Sequence, residues 1–255
     1  MANNIIHFYR WNYNFITVIM TLQEHVYEFR LIVRQLNLYD DDKLDDRLIK
    51  NWLHNQRALW IRNEMNKPRS VDEQIIQTLG AVPLEIADRS SHPSFLTGYT
   101  VLQTSVDIPK VIELSYGDGI LELGPVDKLA YPFAYVNLSH ARFAGSGKFN
   151  KNMIYAFRHG LRILIFSRGS QSFHKYLRYI RIRGVFENPE EVGLFTHVDG
   201  TPCYNDTFDY PLNRWMWNFI RDKMKEANFN LIVAAPTDKE NDSSETLKTA
   251  VNEKQ

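Results

Sequence analysis

The sequence predicts an α+β fold, in which N-terminal helices and a C-terminal helix pack together, with a β-rich insertion between them in the chain and an extended C-terminal tail. Three observations predict it. Apolar residues recur with helical spacing before Gly80 and again after Pro211. Between these positions, short apolar or alternating runs are separated by Pro and Gly, which is typical of strands and turns. The segment Pro236–Gln255 is polar and charged, as in chain ends that do not pack alone.

Residues 20–80 are predicted to be helical. The first helix has apolar residues at alternating spacings of four and three positions, the stripe of an amphipathic helix: Leu22, Val26, Phe29, Val33 and Leu36. For the second, Asp42 is the expected N-cap, with Asp45 and Asp46 in the first turn, and Pro68 is the expected end. Its apolar positions are Leu44, Leu48, Ile49, Trp52, Leu53, Leu59, Trp60 and Ile61. A capping box at 70–73 opens a short third helix, which Gly80 stops.

The insertion is predicted to consist of short strands. These are Val82–Ala87, Thr100–Thr104, Val111–Ser115, Ile120–Leu123, Met153–Phe157, Leu161–Ser167 and Tyr179–Phe186. Gly160 predicts a hairpin turn between the fifth and sixth strands, because glycine tolerates positive φ. In the last strand, alternation places Arg181 and Arg183 on one face and Ile180 and Ile182 on the other.

The end of the chain is predicted to return to helix. Pro211 at a first-turn position precedes one apolar stripe, made of Leu212, Trp215, Phe219, Ile220 and Met224. Trp215 is expected in the core because it lies on that stripe, and Asn230–Ala235 is a candidate final strand. The predicted segments are 1–19 (an N-terminal extension, with Met20 as an alternative start), 20–80 (helical domain), 81–187 (β-rich insertion), 188–229 (return segment with the C-terminal helix) and 230–255 (extended tail).

Charge is segregated along a chain whose formal net charge is zero. Residues 131–186 contain ten Lys or Arg and no Asp or Glu, whereas residues 1–130 contain 13 basic and 17 acidic groups and residues 187–255 contain 7 and 13. A segment of one sign favours a negative partner, either a nucleic-acid backbone or the acidic surface of a protein or neighbouring subunit. Aromatic residues interleave with the basic ones, as in proteins that bind single strands.

The sequence predicts no cofactor, metal or nucleotide site. The stretch Gly145–Lys148 is similar to the end of a phosphate-binding loop, but Arg142 and Phe149 occupy the positions where such a loop needs Gly and Ser or Thr. The acidic run Asp40–Asp46 lacks the central glycine and terminal glutamate of a calcium loop, and helix capping explains it. The eight histidines contain no pair at zinc-ligand spacing.

Because Cys203 is the only cysteine, the chain cannot form an intrachain disulfide. This indicates a reducing compartment or an assembly that does not use disulfides. Together with His197 and either Asp199 or Asp206, Cys203 leaves a thiol enzyme as an open alternative. No apolar run approaches the roughly 18 residues of a membrane span, so we expect no membrane association.

A series of short stretches keeps a recognisable order along the chain. They are Met20–Arg30, Asp45–Leu53, Arg57–Arg62, Glu64–Lys67, Gln77–Gly80, Ile108–Glu113, Gly124–Asp127, Arg183–Pro189, Tyr210–Leu212 and Trp215–Trp217. The series resembles the ring, or head–tail adaptor, proteins of crAss-like bacteriophages and related podovirus-type phages. The resemblance begins at Met20 and leaves residues 1–19 outside it.

This resemblance implies a structural virion protein that is not an enzyme. Such a protein forms a homo-oligomeric ring, commonly of twelve subunits, that stacks on the portal protein at the tail vertex and contacts the adjacent tail ring proteins. Phage DNA passes through the channel and makes transient, non-specific contacts. Assembly takes place in the host bacterial cytoplasm. The charge blocks agree with this, because a closed ring needs two different faces on each subunit.

Three hypotheses follow. The first is a head–tail connector ring subunit. Its candidate electrostatic contacts, with a neighbouring subunit or with DNA, are Arg158, Arg162, Arg178, Arg181 and Arg183, and its apolar anchors are Trp215 and Trp217. The second is a stand-alone, non-specific nucleic-acid-binding protein that uses the basic aromatic segment 131–186. The third is an enzyme with a site around His197, Asp199 and Cys203.

Overall fold

The computed structural model describes residues 20–33, 45–67, 71–88, 100–169 and 172–226. Its helices are Leu22–Val33 (α1), Asp46–Met65 (α2), Leu138–Ala141 (α3) and Arg214–Glu226 (α4). Its strands are Gln77–Ile86 (β1), Val101–Thr104 (β2), Glu113–Leu114 (β3), Gly117–Asp118 (β4), Ile120–Pro125 (β5), Ala134–Tyr135 (β6), Tyr155–His159 (β7), Arg162–Phe166 (β8) and Tyr179–Gly184 (β9). Short 3₁₀ helices lie at Glu73–Ile75, Phe173–Lys175 and Pro189–Leu194. Helices and a large sheet occur together, which confirms the predicted α+β class.

Several predicted features lie outside the described residues. They are the extension 1–19, Leu36, Asp42, Leu44, Pro68, Ser70, the candidate strand Asn230–Ala235 and the tail Pro236–Gln255.

Helices α1, α2 and α4 pack around one apolar core. Leu22, Val26 and Phe29 of α1 are buried, as the predicted stripe requires. The rest of this core is formed by Ile49, Leu53 and Ile61 of α2, by Met216, Trp217, Ile220 and Met224 of α4, and by Ile75, Ile112, Val185, Tyr210 and Leu212 of the connections. Each buried aliphatic or aromatic side chain contributes roughly 1.5–3 kcal/mol of transfer free energy, so the amphipathic faces hold this layer together.

Two predictions for α2 are wrong. The helix is capped by Asp45 and not by Asp42, because the Asp45 side chain accepts a hydrogen bond from the backbone N–H of Arg47 at 3.0 Å. Leu48 and Leu59, predicted on the apolar stripe, are half exposed. The face that meets α1 and α4 lies one or two positions further along the helix, which rotates both leucines towards solvent.

Helix α4 also presents a different face from the predicted one. It begins at Arg214, and its buried positions include Met216 and Trp217. Trp215 and Phe219 are 38% and 47% exposed. The placement of Trp215 in the core is therefore wrong, because several large residues in a row on this helix allow more than one apolar stripe to be drawn.

His25 on α1 is enclosed by the end of the chain. It is 4% exposed, and its ring lies 5.6 Å from that of Tyr210 and 4.4 Å from that of Trp217, measured between centroids. Burial lowers the pKa of His25 from 6.5 to about 4, because desolvation disfavours the imidazolium; the nearby Glu24 carboxylate opposes this weakly. Between these two pH values the unfolded chain binds more protons than the folded one, so stability is lost as the pH falls.

We therefore expect His25 alone to lower the free energy of unfolding by about 2 kcal/mol between pH 7.5 and pH 5. Urea unfolding of the wild type and of His25→Leu at both pH values measures this, and the loss should be smaller by that amount in the variant. His140→Leu, at an exposed histidine of α3, is the control and should keep the pH dependence of the wild type. Equal pH dependence in the wild type and His25→Leu would contradict the assignment.

The sheet has seven strands in the order β5-β9-β1-β2-β8-β7-β6, and β3 and β4 form a separate hairpin. Neighbouring strands are antiparallel, except for the parallel pair β6 and β7. The two edge strands approach each other, because the N–H of Phe133 donates to the carbonyl of Leu123 in β5 at 2.7 Å. The sheet is therefore nearly barrel-shaped.

The strongest strand predictions are confirmed. β7 and β8 form the predicted hairpin, in which His159 pairs with Arg162 and Gly160 has a φ of 64°. In β9, Ile180 and Ile182 are buried, and the alternating Arg181 and Arg183 face outwards. Gly80, predicted as a helix stop, lies inside β1 instead. The predicted short third helix is reduced to the 3₁₀ helix Glu73–Ile75, which comes directly before that strand. Gly80 is needed there because His197 packs closely against it.

The interior of the nearly closed sheet is filled by inward-facing side chains. They are Leu79, Val82, Leu102, Ile108, Val111, Ile120, Leu123, Phe133, Ala156, Ile163, Ile165, Phe173, Ile180, Ile182, Phe186, Val192 and Tyr204. The described residues thus form three apolar clusters, one between the helices, one inside the sheet and a smaller one that includes Tyr155, Phe157 and Phe166.

Candidate assembly surfaces

Four of the five predicted contact arginines form ion pairs within the chain. Arg158 pairs with Asp118 at 3.0 Å and Glu113 at 3.4 Å, Arg162 with Asp107 at 2.9 Å and Glu85 at 3.4 Å, Arg181 with Glu122, and Arg183 with Glu73 and, at 3.8 Å, with Glu122. All of these carboxylates come from residues 73–122. Part of the charge separated along the sequence is therefore neutralised by folding, before any partner binds.

Arg158 belongs to a polar cluster at the seam of the sheet. The Asp118 carboxylate, on β4, accepts a hydrogen bond from the Tyr135 hydroxyl at 2.6 Å and forms an ion pair with Arg158 at 3.0 Å. Burial, followed by this hydrogen bond to Asp118, raises the pKa of Tyr135 far above its usual range. The cluster ties β4 to β6 and β7, so Arg158 has a structural role in addition to any contact with a partner.

Arg178 differs from the other four arginines. Its side chain is exposed and forms no ion pair with any residue that the structure describes. It lies just before β9 beside the exposed Lys175, Tyr176 and Tyr179. This small basic aromatic group is therefore available to a partner.

A groove of about 830 Å³ runs across the outer face of β1 and β9. Arg181, Arg183 and Lys128 line one part of it, and the segment 197–209 lines another. Cationic side chains line one wall of the groove, and Asp199 and Asp209 line the other, so the groove is polar.

The His197, Asp199 and Cys203 group forms a tight turn beside this groove. The Asp199 carboxylate accepts hydrogen bonds from the N–H and hydroxyl of Thr201 at 3.0 and 2.6 Å, which lowers its pKa. The Cys203 thiol accepts a hydrogen bond from the N–H of Gly80 at 3.2 Å, and burial raises its pKa. A thiol whose pKa is raised is a poor nucleophile at neutral pH.

Gly80 explains how this turn packs so closely on the sheet. A Cβ at Gly80 would lie 2.2 Å from Nδ1 and 2.8 Å from Cα of His197. The Ala81 N–H also donates to the carbonyl of Thr196 at 3.0 Å. The glycine therefore permits the segment after residue 195 to lie directly against β1.

A second exposed surface is the basic loop, which we define as residues 142–151. Arg142, Lys148 and Lys151 are exposed there, and Phe149 is 94% exposed. The Lys148 ammonium lies 5.9 Å from the Phe149 ring centroid. None of the three cations forms an ion pair with a described residue. Like Lys175 and Arg178, these cations keep a charge that no described carboxylate pairs.

The two predicted apolar anchors have different positions. Trp217 is 4% exposed, and its indole N–H donates to the Glu28 carboxylate at 2.9 Å, so it joins α4 to α1. Trp215 contacts Phe219 edge-on at 6.0 Å between centroids, and Phe219 stacks on Trp60 at 4.9 Å. Trp215 and Phe219 thus belong to an outward-facing aromatic surface, whereas Trp217 belongs to the core.

The residue that sequence reasoning missed is Arg57, which is fully buried in the middle of α2. Its guanidinium donates to the carbonyls of Pro211 and Phe186 at 2.7 and 2.8 Å and lies over the Tyr210 ring at 5.7 Å. A signal existed in the sequence, because Arg57 occupies the apolar stripe four positions from both Leu53 and Ile61.

A neighbouring network strengthens the same junction. The His54 ring bonds to the Tyr210 hydroxyl at 2.8 Å and to the Glu190 carboxylate at 3.3 Å, and Lys50 pairs with Glu190 at 2.8 Å. Burial lowers the pKa of His54 despite the nearby carboxylate. Helix α2 is therefore fixed to the segment that links the sheet to α4.

Comparison with known protein families shows which kind of protein carries these surfaces. A family model described as phage tail ring protein 2, from crAss-like phages, matches residues 24–253. The chain belongs to this family. Membership in the family makes it a structural component of the phage tail and favours a non-enzymatic role. The resemblance seen in the short ordered stretches is confirmed. None of the curated proteins matches the chain.

Within the described part of the chain, no helix is both long and apolar enough to cross a membrane. The same residues contain no group of three or more His, Cys, Asp or Glu side chains placed to hold a metal ion.

Proposed function

We propose that this tail ring protein is a subunit of the head–tail connector, stacked with the portal and adjacent ring proteins at the tail vertex. The observation that carries the proposal is the family match, which extends over residues 24–253. Twelve copies form a closed ring around a channel for phage DNA, and assembly takes place in the host bacterial cytoplasm. The helical segment 20–80 and α4 contact neighbours and the portal, and the β-rich insertion contacts the next ring.

Exposed apolar side chains support a role in assembly. Tyr116, Leu129, Tyr131 and Phe149 are each more than nine-tenths exposed. Exposed apolar groups that form a contiguous patch on a folded chain mark a surface that a partner covers. A ring subunit needs two such surfaces of different character, because a head-to-tail contact joins unlike patches.

The test is the structure of the tail vertex in purified phage particles by electron cryomicroscopy. We expect a closed ring of twelve copies between portal and tail. The radial positions of Arg158, Arg162, Arg178, Arg181 and Arg183 then distinguish DNA contact in the channel from contact between subunits. Location of the chain elsewhere in the particle, or its absence from the vertex, would contradict the connector role.

A stand-alone nucleic-acid-binding protein is the second candidate, favoured by the exposed cations and phenylalanines of the basic loop. We expect only weak binding, because a channel that holds DNA tightly cannot release it. The full chain should bind single-stranded and duplex DNA with a dissociation constant above about 1 μM at physiological salt. Titrations from about 50 to about 200 mM salt measure this. Tight binding by the monomer with a steep salt dependence would favour the second candidate.

A further inference from the structure

We propose that the basic loop of one subunit docks onto an acidic surface formed by residues 191–209 of the next copy, which we call the acidic ledge. This inference rests on the proposed ring function and names the partner surface within it. The contact is heterologous, since the two patches differ, and repetition of such a contact closes a ring.

The acidic ledge lies in a stretch without positive charge. Residues 187–213 contain six acidic residues and no Lys or Arg: Glu187, Glu190, Glu191, Asp199, Asp206 and Asp209. Glu187 and Glu190 form ion pairs within the chain, with Lys110 and Lys50. The other four make no ion pair with described residues. The ledge therefore keeps four carboxylates without an ion-pair partner among the described residues, although Asp199 and Asp209 share their groove with Lys128, Arg181 and Arg183.

Apolar groups accompany the charges on the ledge. Leu194 is 83% exposed, and Val198 and Phe208 are also exposed. The basic loop carries Phe143 and Phe149 in the same way. Each surface thus combines exposed apolar side chains, which can be buried together, with charges of opposite sign, which orient the contact.

The basic loop is held in shape without a partner. Arg168 donates to the carbonyl of Arg142 at 2.5 Å, and the N–H of Gly169 donates to the carbonyl of Lys151 at 2.7 Å. The Tyr155 hydroxyl also donates to the carbonyl of Asn150 at 3.0 Å. A loop fixed from the end of β8 and the start of β7 loses little conformational freedom when it docks.

The ledge is equally fixed, but to a different strand. It is joined to β1 through the Ala81–Thr196 hydrogen bond and through the close packing of His197 on Gly80. No ion pair connects loop and ledge within the described part of the chain. Each surface therefore remains available for the opposite surface of another copy.

The ledge also favours protein over DNA as the occupant of the loop. Nucleic-acid binding through the loop alone would use three cations and leave the exposed apolar side chains of the acidic ledge uncovered. The carboxylates of the ledge would also repel the phosphates. A second copy covers the exposed apolar groups of both surfaces and neutralises both charges.

Charge reversal tests the contact in the full chain. Lys148→Glu/Lys151→Glu reverses the loop, and Asp206→Lys/Asp209→Lys reverses the ledge. We expect each double variant to self-associate at least about tenfold more weakly than the wild type, measured by analytical ultracentrifugation at low salt. Arg47→Glu/Arg62→Glu, on exposed arginines of α2, matches the loop variant in total charge change. Mixed with the ledge variant it should give no recovery, because neither protein then carries a loop that fits the reversed ledge.

Mixing the two variants gives the decisive measurement. A reversed loop fits a reversed-charge ledge, and the unchanged loop of the second variant fits the unchanged ledge of the first. An equimolar mixture should therefore recover association in alternating order, although each variant alone associates more weakly than the wild type. Unchanged melting temperatures of the separate variants would show that folding is intact.

Several outcomes would overturn the inference. A wild type that stays monomeric at low salt, a mixture that does not recover, or a loop variant that loses DNA binding while associating normally would each do so. These results leave the connector role standing, because that role is tested by locating the chain in the particle. A chain absent from the vertex that still shows loop-to-ledge recovery would contradict the connector role alone.

Discussion

Replacing Arg57 by Met is expected to lower the free energy of unfolding by about 3 kcal/mol or more. The substitution keeps the volume of the side chain but removes donors to the carbonyls of Pro211 and Phe186, which then stay buried without a partner. A buried carbonyl left unsatisfied costs roughly 1–3 kcal/mol, and hydrogen bonds from a charged donor are worth more than neutral ones. The gain from no longer burying a charge opposes this loss.

The balance favours Arg57 because its carbonyl acceptors remain buried after the change. Urea unfolding of the wild type and Arg57→Met at pH 7.5 measures the difference. Arg62→Met, at an exposed arginine of the same helix, is the matched control and should change stability by less than about 0.5 kcal/mol. An Arg57→Met protein as stable as the wild type would show that relief of the buried charge outweighs the lost hydrogen bonds.

Arg57 also shows where sequence reasoning reaches its limit. Helical spacing predicted α1 and α2, because burial of one face of a helix has a period that the sequence displays. The partners of Arg57 are backbone carbonyls 129 and 154 residues away along the chain. Any residue type can supply a backbone carbonyl acceptor. The sequence therefore shows that Arg57 interrupts the apolar stripe, but it does not show which groups Arg57 binds.

The strands were predictable for a similar reason, whereas their partners were not. Alternation in β9 assigned the outward face of Arg181 and Arg183 correctly. Their ion pairs with Glu122 and Glu73 depend on strand order and on the position of a 3₁₀ helix, which the sequence does not encode locally. The acid-free segment therefore contains charges of two kinds, paired ones on the strands and unpaired ones in the basic loop and just before β9.

This division bears on assembly. Exposed single ion pairs stabilise a fold little, but they remove charge that would otherwise attract an arbitrary partner. Three cations without an ion pair lie on a loop of fixed shape beside exposed phenylalanines, and four carboxylates without an ion pair lie on the ledge. Folding thus converts a broad charge bias into two local surfaces of opposite sign.

Trp217→Ala is expected to destabilise the chain by about 3–5 kcal/mol, since it empties a buried aromatic site between α1 and α4. It also leaves the Glu28 carboxylate without the indole donor that lies 2.9 Å away. Trp215→Ala removes a side chain that is already 38% exposed, and we expect a loss of about 1 kcal/mol or less. Thermal or urea unfolding of both variants measures the contrast.

The same pair separates a role in folding from a role in assembly. If the aromatic surface of Trp215 and Phe219 contacts a neighbour, Trp215→Ala should weaken association of the full chain while the monomer remains folded. Trp217→Phe, which keeps the ring in the core but removes the donor to Glu28, should fold and lose about 1–2 kcal/mol. Equal destabilisation by Trp215→Ala and Trp217→Ala would contradict the helix orientation described for α4, because it would place both indoles in the core.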